Sequence, residues 1–300
     1  MTAEKNNKAS SKEKLTGTLC VLAAGICWGT TGTIQAFSPS GASALTLGAA
    51  RIVFAGAILF LWAFFTKRKA ICKGKWSRKG VFLAAAGLAA YQLTFFSAVR
   101  LTGVAVGTMV AIGAAPPIAG AFGYFFFGEK LPWRWYAATA MAVTGCALLI
   151  AGGSGAKITI GIAGVALAFA AAFSYALEGL GLRFIRRDPY ETIAVVSVVS
   201  GLMALPWLIA GDLSWMLEPR GALCIALLTL FSTILPYTLF TIGIQKISLG
   251  TAYTLGLSEP LAAWVLSTSL LGEQLSVTAT TGVGILFAAI LLLASGKSGS

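Results

Sequence analysis

The 300-residue chain has no histidine, and only 11% of its residues are charged. A soluble domain has roughly 25% charged residues, so this chain has too little polar surface for a soluble fold. The absence of histidine removes the usual proton shuttle at neutral pH and the commonest metal ligand. These absences argue against a soluble protein, a metal site and histidine-based catalysis.

Cysteine pairs at zinc or redox spacing are also absent. The five cysteines, Cys20, Cys27, Cys72, Cys146 and Cys224, are scattered along the chain and are predicted to be small apolar residues on helices. Gly152-Gly153-Ser154-Gly155 is not followed by the Lys-Ser or Lys-Thr of a phosphate-binding loop, so it predicts a flexible linker. The sequence therefore predicts no cofactor and no use of ATP.

Long apolar runs are abundant, since 57% of the residues are hydrophobic. A bilayer core takes about 20 helical residues to cross, and ten stretches qualify. They lie near 17–37, 43–65, 80–99, 103–127, 133–151, 160–182, 191–210, 220–243, 250–271 and 277–295. These runs are too long and too uniformly apolar for alternating barrel strands. The sequence predicts an all-α membrane protein with ten transmembrane helices.

The basic residues are distributed unevenly between the two sides of this arrangement. Eighteen of the 22 Lys and Arg residues lie in segments on the side of both chain ends, three (Arg100, Lys157 and Arg220) lie on the other side, and Arg51 lies within a helix. Basic loops remain cytoplasmic, so both termini, with a tail over 1–16, are predicted in the cytoplasm and the chain in the plasma or inner membrane. The net charge of +12 is concentrated in these loops and does not predict nucleic-acid binding.

A motif occurs twice, 144 positions apart. Pro116 followed by Gly128-Glu129-Lys130-Leu131 corresponds to Pro260 followed by Gly272-Glu273-Gln274-Leu275. The motif predicts two five-helix repeats, over 17–151 and 160–295. Because five is odd, the second repeat enters the membrane from the opposite face, so the repeats are inverted and a substrate site is expected between them near the midplane.

These residues, in this order, resemble the EamA family of the drug/metabolite transporter superfamily. The resemblance includes Trp28-Gly29 in helix 1 and Arg51 in helix 2, together with the doubled motif, and it extends from about Gly17 to Leu293. It implies a ten-helix inner-membrane carrier, commonly an exporter of amino acids and other small metabolites. It does not imply a particular substrate.

Two charged residues at membrane depth are the first candidates for a substrate site. Glu259 is placed in the middle of helix 9 before Pro260, and Arg51 lies near the centre of helix 2. A buried charge in a membrane is costly and marks a functional site by default. Glu259 is expected to contact a substrate amine or bind a proton, and Arg51 a substrate carboxylate. The alternatives are a structural carboxylate at a broken helix and a permanent Arg51–Glu259 ion pair.

The other candidates are neutral residues and residues with gating or hinge roles. The neutral substrate-binding candidates are Trp28, Tyr91, Gln92, Tyr237 and Trp264. The gating or hinge candidates are Pro116, Pro260 and Glu178, the last of which is expected near the cytoplasmic edge, paired with Arg183 or Arg186. Gly128-Glu129 and Gly272-Glu273 are interpreted as helix ends with a headgroup-anchored carboxylate, or alternatively as gates.

The leading functional hypothesis is a secondary transporter that exports small metabolites such as amino acids by alternating access. An exporter of cationic or aromatic drugs is the alternative within transport, and a non-transport membrane scaffold is the alternative outside it. An enzyme is not predicted, because neither histidine nor a carboxylate pair at metal-ligand spacing is present. The expected partners are a small-molecule substrate and the lipid bilayer, without nucleic acid, and a homodimer is compatible with the sequence.

Overall fold

The structure, a computed structural model, describes residues 2–153, 161–270 and 276–294, with side chains left undescribed at 2–10, 103–105, 153 and 267. Within these ranges the chain forms helices joined by short turns, which confirms an all-α protein. The predicted motif Gly272-Glu273-Gln274-Leu275, Ser154 and Gly155 of the predicted linker, and the last six residues lie outside the described residues, whereas Gly152 and Gly153 end α5.

Twelve α-helices form the described part of the chain. They are α1 (Thr2–Ala36), α2 (Ala44–Thr66), α3 (Arg68–Lys73), α4 (Arg78–Phe127), α5 (Trp133–Gly153), α6 (Ile162–Phe184), α7 (Pro189–Ile209), α8 (Pro219–Thr229), α9 (Leu235–Ile244), α10 (Leu249–Gly256), α11 (Ser258–Leu270) and α12 (Val277–Ala294). A 3₁₀ turn over Ser214–Leu217 precedes α8, and a π-helical turn over Leu230–Ile234 joins α8 to α9.

Nine segments of the described chain are long and apolar enough to cross a membrane. They are Ser11–Ala36, Ala44–Thr66, Arg78–Thr102, Val106–Phe127, Trp133–Gly152, Ile162–Phe184, Pro189–Ile209, Pro219–Ile244 and Val277–Ala294. The remaining predicted segment, 250–271, is divided at Leu257 into α10 and α11, and neither helix alone is long enough. The structure therefore gives nine full-length candidates and one broken one in the described residues.

The long helix α4 contains two of these segments and folds back on itself. A Cβ atom added at Gly107 would lie 3.0 Å from the Cα atom of Val99, whereas eight residues of straight helix span about 12 Å. Helix α6 packs against both halves of α4, with Gly181 beside Ala84 at one half and Phe173 against Phe122 at the other. The two halves correspond to the segments predicted over 80–99 and 103–127.

Small residues allow the helices to approach closely. A Cβ atom added at Gly56 of α2 would lie 2.7 Å from the carbonyl oxygen of Ser197 in α7, and one added at Gly145 of α5 would lie 2.6 Å from the amide nitrogen of Leu286 in α12. Helix α1 contacts α9, where a Cβ atom at Gly17 would lie 3.2 Å from the carbonyl oxygen of Gly243. Close packing through glycine is a main source of helix association in lipid, where no hydrophobic driving force acts between helices.

Helix α1 provides a matched test of this packing. A Cβ atom at Gly29 would lie 2.6 Å from the Cβ of Ala262 and 2.8 Å from the amide nitrogen of Ala263, whereas one at Gly32 would meet nothing within 4 Å. Gly29→Ala is expected to destabilise the purified protein by about 1–3 kcal/mol through overpacking, and Gly32→Ala to leave the thermal unfolding midpoint nearly unchanged. Equal midpoints for the two variants would contradict the packing of α1 on α11.

Local signals explain where several helices begin and end. The Asp188 carboxylate accepts hydrogen bonds from the amides of Tyr190 and Glu191 and so caps α7, which begins with Pro189. Gly128 has φ +64°, a left-handed conformation that favours glycine, and it ends α4. The prediction that Gly128 ends a helix is confirmed.

Candidate substrate cavity

A large cavity lies in the interior between the helices and has a volume of about 660 Å³. It extends to the end of the bundle where α1 ends and α2 begins, because Gln35, Ala36 and Ala44 line it. We call this the open end. Its volume lies within the range of small-molecule sites, about 300–1,000 Å³.

All seven predicted substrate-binding residues line this cavity. They are Trp28, Arg51, Tyr91, Gln92, Tyr237, Glu259 and Trp264. Pro260 lines it as well, whereas Pro116 and Glu178 are not among its lining residues. The structure thus brings the seven residues together from α1, α2, α4, α9 and α11, and their role in binding remains a prediction.

The sequence predicted that Glu259 lies in the middle of a continuous helix, and the structure shows that it does not. The helix breaks at Leu257, and Glu259 occupies the first turn of α11. Pro260 lacks an amide N–H and therefore cannot bond to the preceding turn. The N-terminal end of a helix carries partial positive charge, which stabilises a carboxylate there. Broken helices of this kind form the substrate sites of many transporters.

Arg51 is 7% exposed and is held by a polar network. Its Nη1 donates to the Ser232 hydroxyl at 3.1 Å, and Ser232 in turn is paired with the Thr31 hydroxyl. Ser232 lies in the π-helical turn Leu230–Ile234, a type of irregularity that often occurs at functional sites. In the described part of the chain Arg51 forms no ion pair with Glu259, so the predicted alternative of a permanent pair is not observed in this conformation.

Sequence reasoning missed Thr31 and Ser232. Both are polar residues in apolar helices, and that polarity was one available signal. The π-helical turn that contains Ser232 comes just before Pro236, which lacks the amide N–H that an α-helix would bond to the Ser232 carbonyl oxygen, so this proline was a second signal. Helix 8 was predicted as continuous over 220–243, whereas the structure divides it into α8, this turn and α9.

Aromatic rings form one wall of the cavity. Trp28 meets Tyr237 edge-on at 5.2 Å between ring centroids, and Tyr175 at 6.2 Å. Tyr91 lies 5.3 Å from Tyr175, and Tyr175 lies 4.6 Å from Tyr253 behind it. Such edge-to-face arrangements are favourable beyond the area they bury. We call Trp28, Tyr175, Tyr237, Phe240 and Tyr253 the aromatic layer, because their rings contact one another across four helices.

The predicted pairing of Glu178 at the membrane surface was wrong. Instead of reaching the membrane surface, its side chain is fully buried, and neither carboxylate oxygen has a hydrogen-bond partner. The expected basic partner is engaged elsewhere, since Arg183 binds Glu129 at 2.9 Å. Burial follows from the close approach of α4 to α6, because a Cβ atom at Gly87 would lie 2.6 Å from the Glu178 amide nitrogen.

The end of the bundle opposite the open end is closed by Glu129. One carboxylate oxygen accepts from Arg183 of α6, and the other accepts from the Leu249 amide at the start of α10, at 2.8 Å. Arg183 also donates to the carbonyl oxygens of Ile247, at 2.6 Å, and Ile244. We call this cluster the latch. Glu129 is therefore bonded across the bundle, and the predicted anchoring of its carboxylate at the headgroups was wrong.

The apolar helices are those of an integral multi-pass membrane protein, and a cavity between them lined by Arg51 and Glu259 is typical of a membrane transporter. The model of the EamA-like transporter family matches residues 15–151 and 162–295. The chain belongs to this family, and hence to the drug/metabolite transporter superfamily, as the sequence motifs predicted.

Two similar proteins whose names include the word transporter support the assignment to membrane transporters. The chain is 36% identical over 279 residues to the "uncharacterized transporter YwfM" of Bacillus subtilis, covering 92% of this chain and 93% of that protein. It is 27% identical over 291 residues to the "uncharacterized inner membrane transporter YicL" of Salmonella typhimurium, covering 92% and 94%. A solved crystal structure matches with a TM-score of 0.80 at 17% identity, over 92% of this chain and 95% of that one. Because the sequence identity is only 17%, this match shows a shared fold and nothing about function.

Proposed function

We propose that the protein is a secondary transporter that exports small metabolites such as amino acids by alternating access. The observation that carries this proposal is the cavity of about 660 Å³ lined by both Arg51 and Glu259. An arginine can bind a carboxylate with two parallel hydrogen bonds, and a carboxylate can bind an ammonium group. A free amino acid carries both groups, so its charges match those of the cavity.

Helix packing supports an inverted repeat. Helix α6 runs antiparallel to the first half of α4, where Ala84 lies beside Gly181, and parallel to the second half, where Phe122 and Phe127 meet Phe173 and Phe184. Helix α1 likewise runs antiparallel to α9, since Gly17 lies beside Gly243 and Trp28 beside Tyr237, and parallel to α11, since Gly25 and Gly29 lie beside Ser258 and Ala262. The same arrangement thus occurs twice, each time with one segment from one half of the chain and two from the other.

The distribution of charge supports a cytoplasmic position for the latch end and both termini. Arg187 at this end holds α3, the short helix after α2, because it donates to the Ala70 carbonyl oxygen at 2.9 Å. Helix α3 and its flanking residues carry Lys67, Arg68, Lys69, Lys73, Lys75, Arg78 and Lys79. Basic loops are retained in the cytoplasm. With the latch end in the cytoplasm, the cavity faces the outside, and we therefore interpret this conformation as outward-open.

Alternating access requires the latch to open as the mouth closes. The latch joins both halves of the chain, since Glu129 follows α4 whereas Arg183 and Leu249 belong to α6 and α10. Rocking of one half against the other would break these bonds first. The substrate would enter from the cytoplasm in that state and leave through the open end in the conformation described here.

The aromatic layer favours a second candidate, an exporter of cationic or aromatic drugs. A cation over an aromatic face gains about 0.5–2 kcal/mol, and Glu259 would neutralise it. A drug exporter would not explain Arg51, because its positive charge would repel a cation. A scaffold without transport would explain neither Arg51 nor Glu259 in the cavity.

Binding to purified protein separates these functions. We expect one or more of the common amino acids to raise the thermal unfolding midpoint, and Arg51→Gln to abolish that shift. A lipophilic cation such as tetraphenylphosphonium is expected to give no shift with the unmodified protein. A shift with the cation that survives in Arg51→Gln would favour the drug exporter, and no shift with any metabolite would contradict the export proposal.

A further inference from the structure

Two hydroxyl groups connect Arg51 to the backbone of α1. The Arg51 Nη1 atom donates to the Ser232 hydroxyl at 3.1 Å, and Ser232 is paired with the Thr31 hydroxyl. Thr31 in turn bonds to the Trp28 carbonyl oxygen at 2.5 Å. Because a carbonyl oxygen only accepts and a guanidinium group only donates, Thr31 donates to Trp28 and accepts the Ser232 proton. The Ser232 oxygen is thereby left as an acceptor for Arg51. We call Ser232 and Thr31 the hydroxyl pair.

Ser232 reaches Arg51 from outside the cavity. It is fully buried and is not among the lining residues, whereas Arg51 and Thr31 both line the cavity. The far end of the hydroxyl pair is fixed, because Trp28 packs edge-on against Tyr237 in the aromatic layer, at 5.2 Å between ring centroids. The hydroxyl pair therefore ties one nitrogen of the guanidinium group to the surrounding helices, while Arg51 still lines the cavity.

The absence of charge on the hydroxyl pair matters for the cavity. Arg51 and Glu259 line the same cavity, and the charge of Arg51 acts on Glu259. Opposite charges attract strongly in a site with little water, so a freely turning arginine would pair with this carboxylate. Such a pair would occupy the two groups that a zwitterionic substrate needs. Two hydroxyl groups can hold the guanidinium group without neutralising it.

We propose that Ser232 is a positioning residue, which holds Arg51 apart from Glu259 so that the empty cavity keeps one positive and one negative group for a substrate. Thr31 supports this hold by accepting the Ser232 proton. Without the Ser232 hydroxyl, Arg51 turns to Glu259, and a substrate must break that ion pair before it binds. The inference rests on the proposed export function for the kind of substrate, whereas the hold on Arg51 is tested without one.

The first test compares Ser232→Ala with Ser200→Ala in reconstituted vesicles. Ser200 is a matched control, because its hydroxyl is also fully buried and bonds to another helix, at the Ala85 carbonyl oxygen (3.1 Å). The probe is the radiolabelled common amino acid that the unmodified protein exports fastest. Ser232→Ala is expected to raise the KM for its efflux at least about tenfold, the effect of losing a hydrogen bond to a charged group, and to leave the maximal rate nearly unchanged.

A purely structural role would give a different result. Loss of folded protein lowers the maximal rate and leaves KM as it was, and this is the largest effect expected of Ser200→Ala. An unchanged KM in Ser232→Ala would overturn the proposal.

Thr31 provides a second variant with a conservative rescue. Thr31→Val removes the hydroxyl and keeps the shape of the side chain, so it should raise KM as well, whereas Thr31→Ser should keep the KM of the unmodified protein. The double variant with Ser232→Ala should resemble Ser232→Ala alone, because both residues belong to one chain of hydrogen bonds. The control is Thr30→Val, since the Thr30 hydroxyl bonds within its own helix, to the Cys27 carbonyl oxygen at 2.7 Å, and Thr30 is not among the lining residues.

The second test uses the protein without substrate. In the unmodified protein Glu259→Gln should leave the thermal unfolding midpoint nearly unchanged, because the described residues show no ion pair between Glu259 and Arg51. With Ser232→Ala present, the same change should lower the midpoint by several degrees, because it breaks the newly formed ion pair. With Ser200→Ala present it should again have little effect. Equal effects of Glu259→Gln on these two backgrounds would show that Ser232 does not hold the charges apart.

The two tests together separate this inference from the export proposal. If amino acids are exported but neither the KM nor the midpoints respond to Ser232→Ala, the positioning role fails and the export function stands. If no amino acid moves but Glu259→Gln lowers the midpoint only in the presence of Ser232→Ala, the export function fails and the hold of Ser232 on Arg51 stands.

Discussion

Glu259→Gln is expected to lower amino-acid efflux from reconstituted vesicles by about 30-fold or more. The substitution keeps the size of the side chain and removes its charge, at a position in the first turn of α11 that lines the cavity. Leaving one partner of a desolvated charge pair without the other costs about 2–5 kcal/mol, and every 1.4 kcal/mol is tenfold in affinity. The unpaired partner here would be the substrate ammonium group.

The control for this experiment is Glu218→Gln in the exposed turn before α8, which removes a carboxylate of the same kind outside the cavity. Its efflux should equal that of the unmodified protein. The thermal unfolding midpoints of the two variants should be similar without substrate. Normal efflux by Glu259→Gln would show that Glu259 does not bind the substrate ammonium group, and it would contradict the proposed recognition of a free amino acid by Arg51 and Glu259.

Breaking the latch is expected to give the largest conformational effect. Glu129→Gln removes the ion pair to Arg183, at 2.9 Å, and weakens the bond to the Leu249 amide. Hydrogen bonds to charged groups contribute about 1.5–3 kcal/mol each, so the latch-open population should rise at least about tenfold. The reporter is Leu249→Cys, because Leu249 is fully buried and its cysteine can react with a polar thiol reagent only when the latch opens.

The comparison is made on the same Leu249→Cys background with and without Glu129→Gln, so that the cost of the reporter cancels. Arg183→Gln should accelerate labelling to a similar extent, and the double variant should add little, because the two residues form one interaction. An unchanged labelling rate in Glu129→Gln would show that these bonds do not hold the end closed.

Much of the site could be predicted from the sequence, because a polar residue in a long apolar helix is too costly to expose to lipid and must face the protein interior or water. Arg51, Gln92 and Glu259 each had to face a protein interior or water, and the structure places all three on one cavity. The same reasoning failed for Glu178. Its spacing from Arg183 and Arg186 suggested pairing at the surface, but the close contact of Gly87 with the α6 backbone buries it.

The sequence by itself determined the class of the protein. Ten apolar stretches, a strongly biased distribution of basic residues and a motif repeated after 144 positions leave a membrane carrier as the main solution, because length and hydropathy act locally along each helix. The two helix breaks, at Leu230–Ile234 and at Leu257, lie close to Pro236 and Pro260, each of which removes a backbone donor. Tertiary structure alone decided how polar side chains distant in sequence meet, because those contacts depend on the packing of whole helices. It joined Ser232 to Arg51 and Glu129 to Arg183, and it left Glu178 buried without a hydrogen-bond partner.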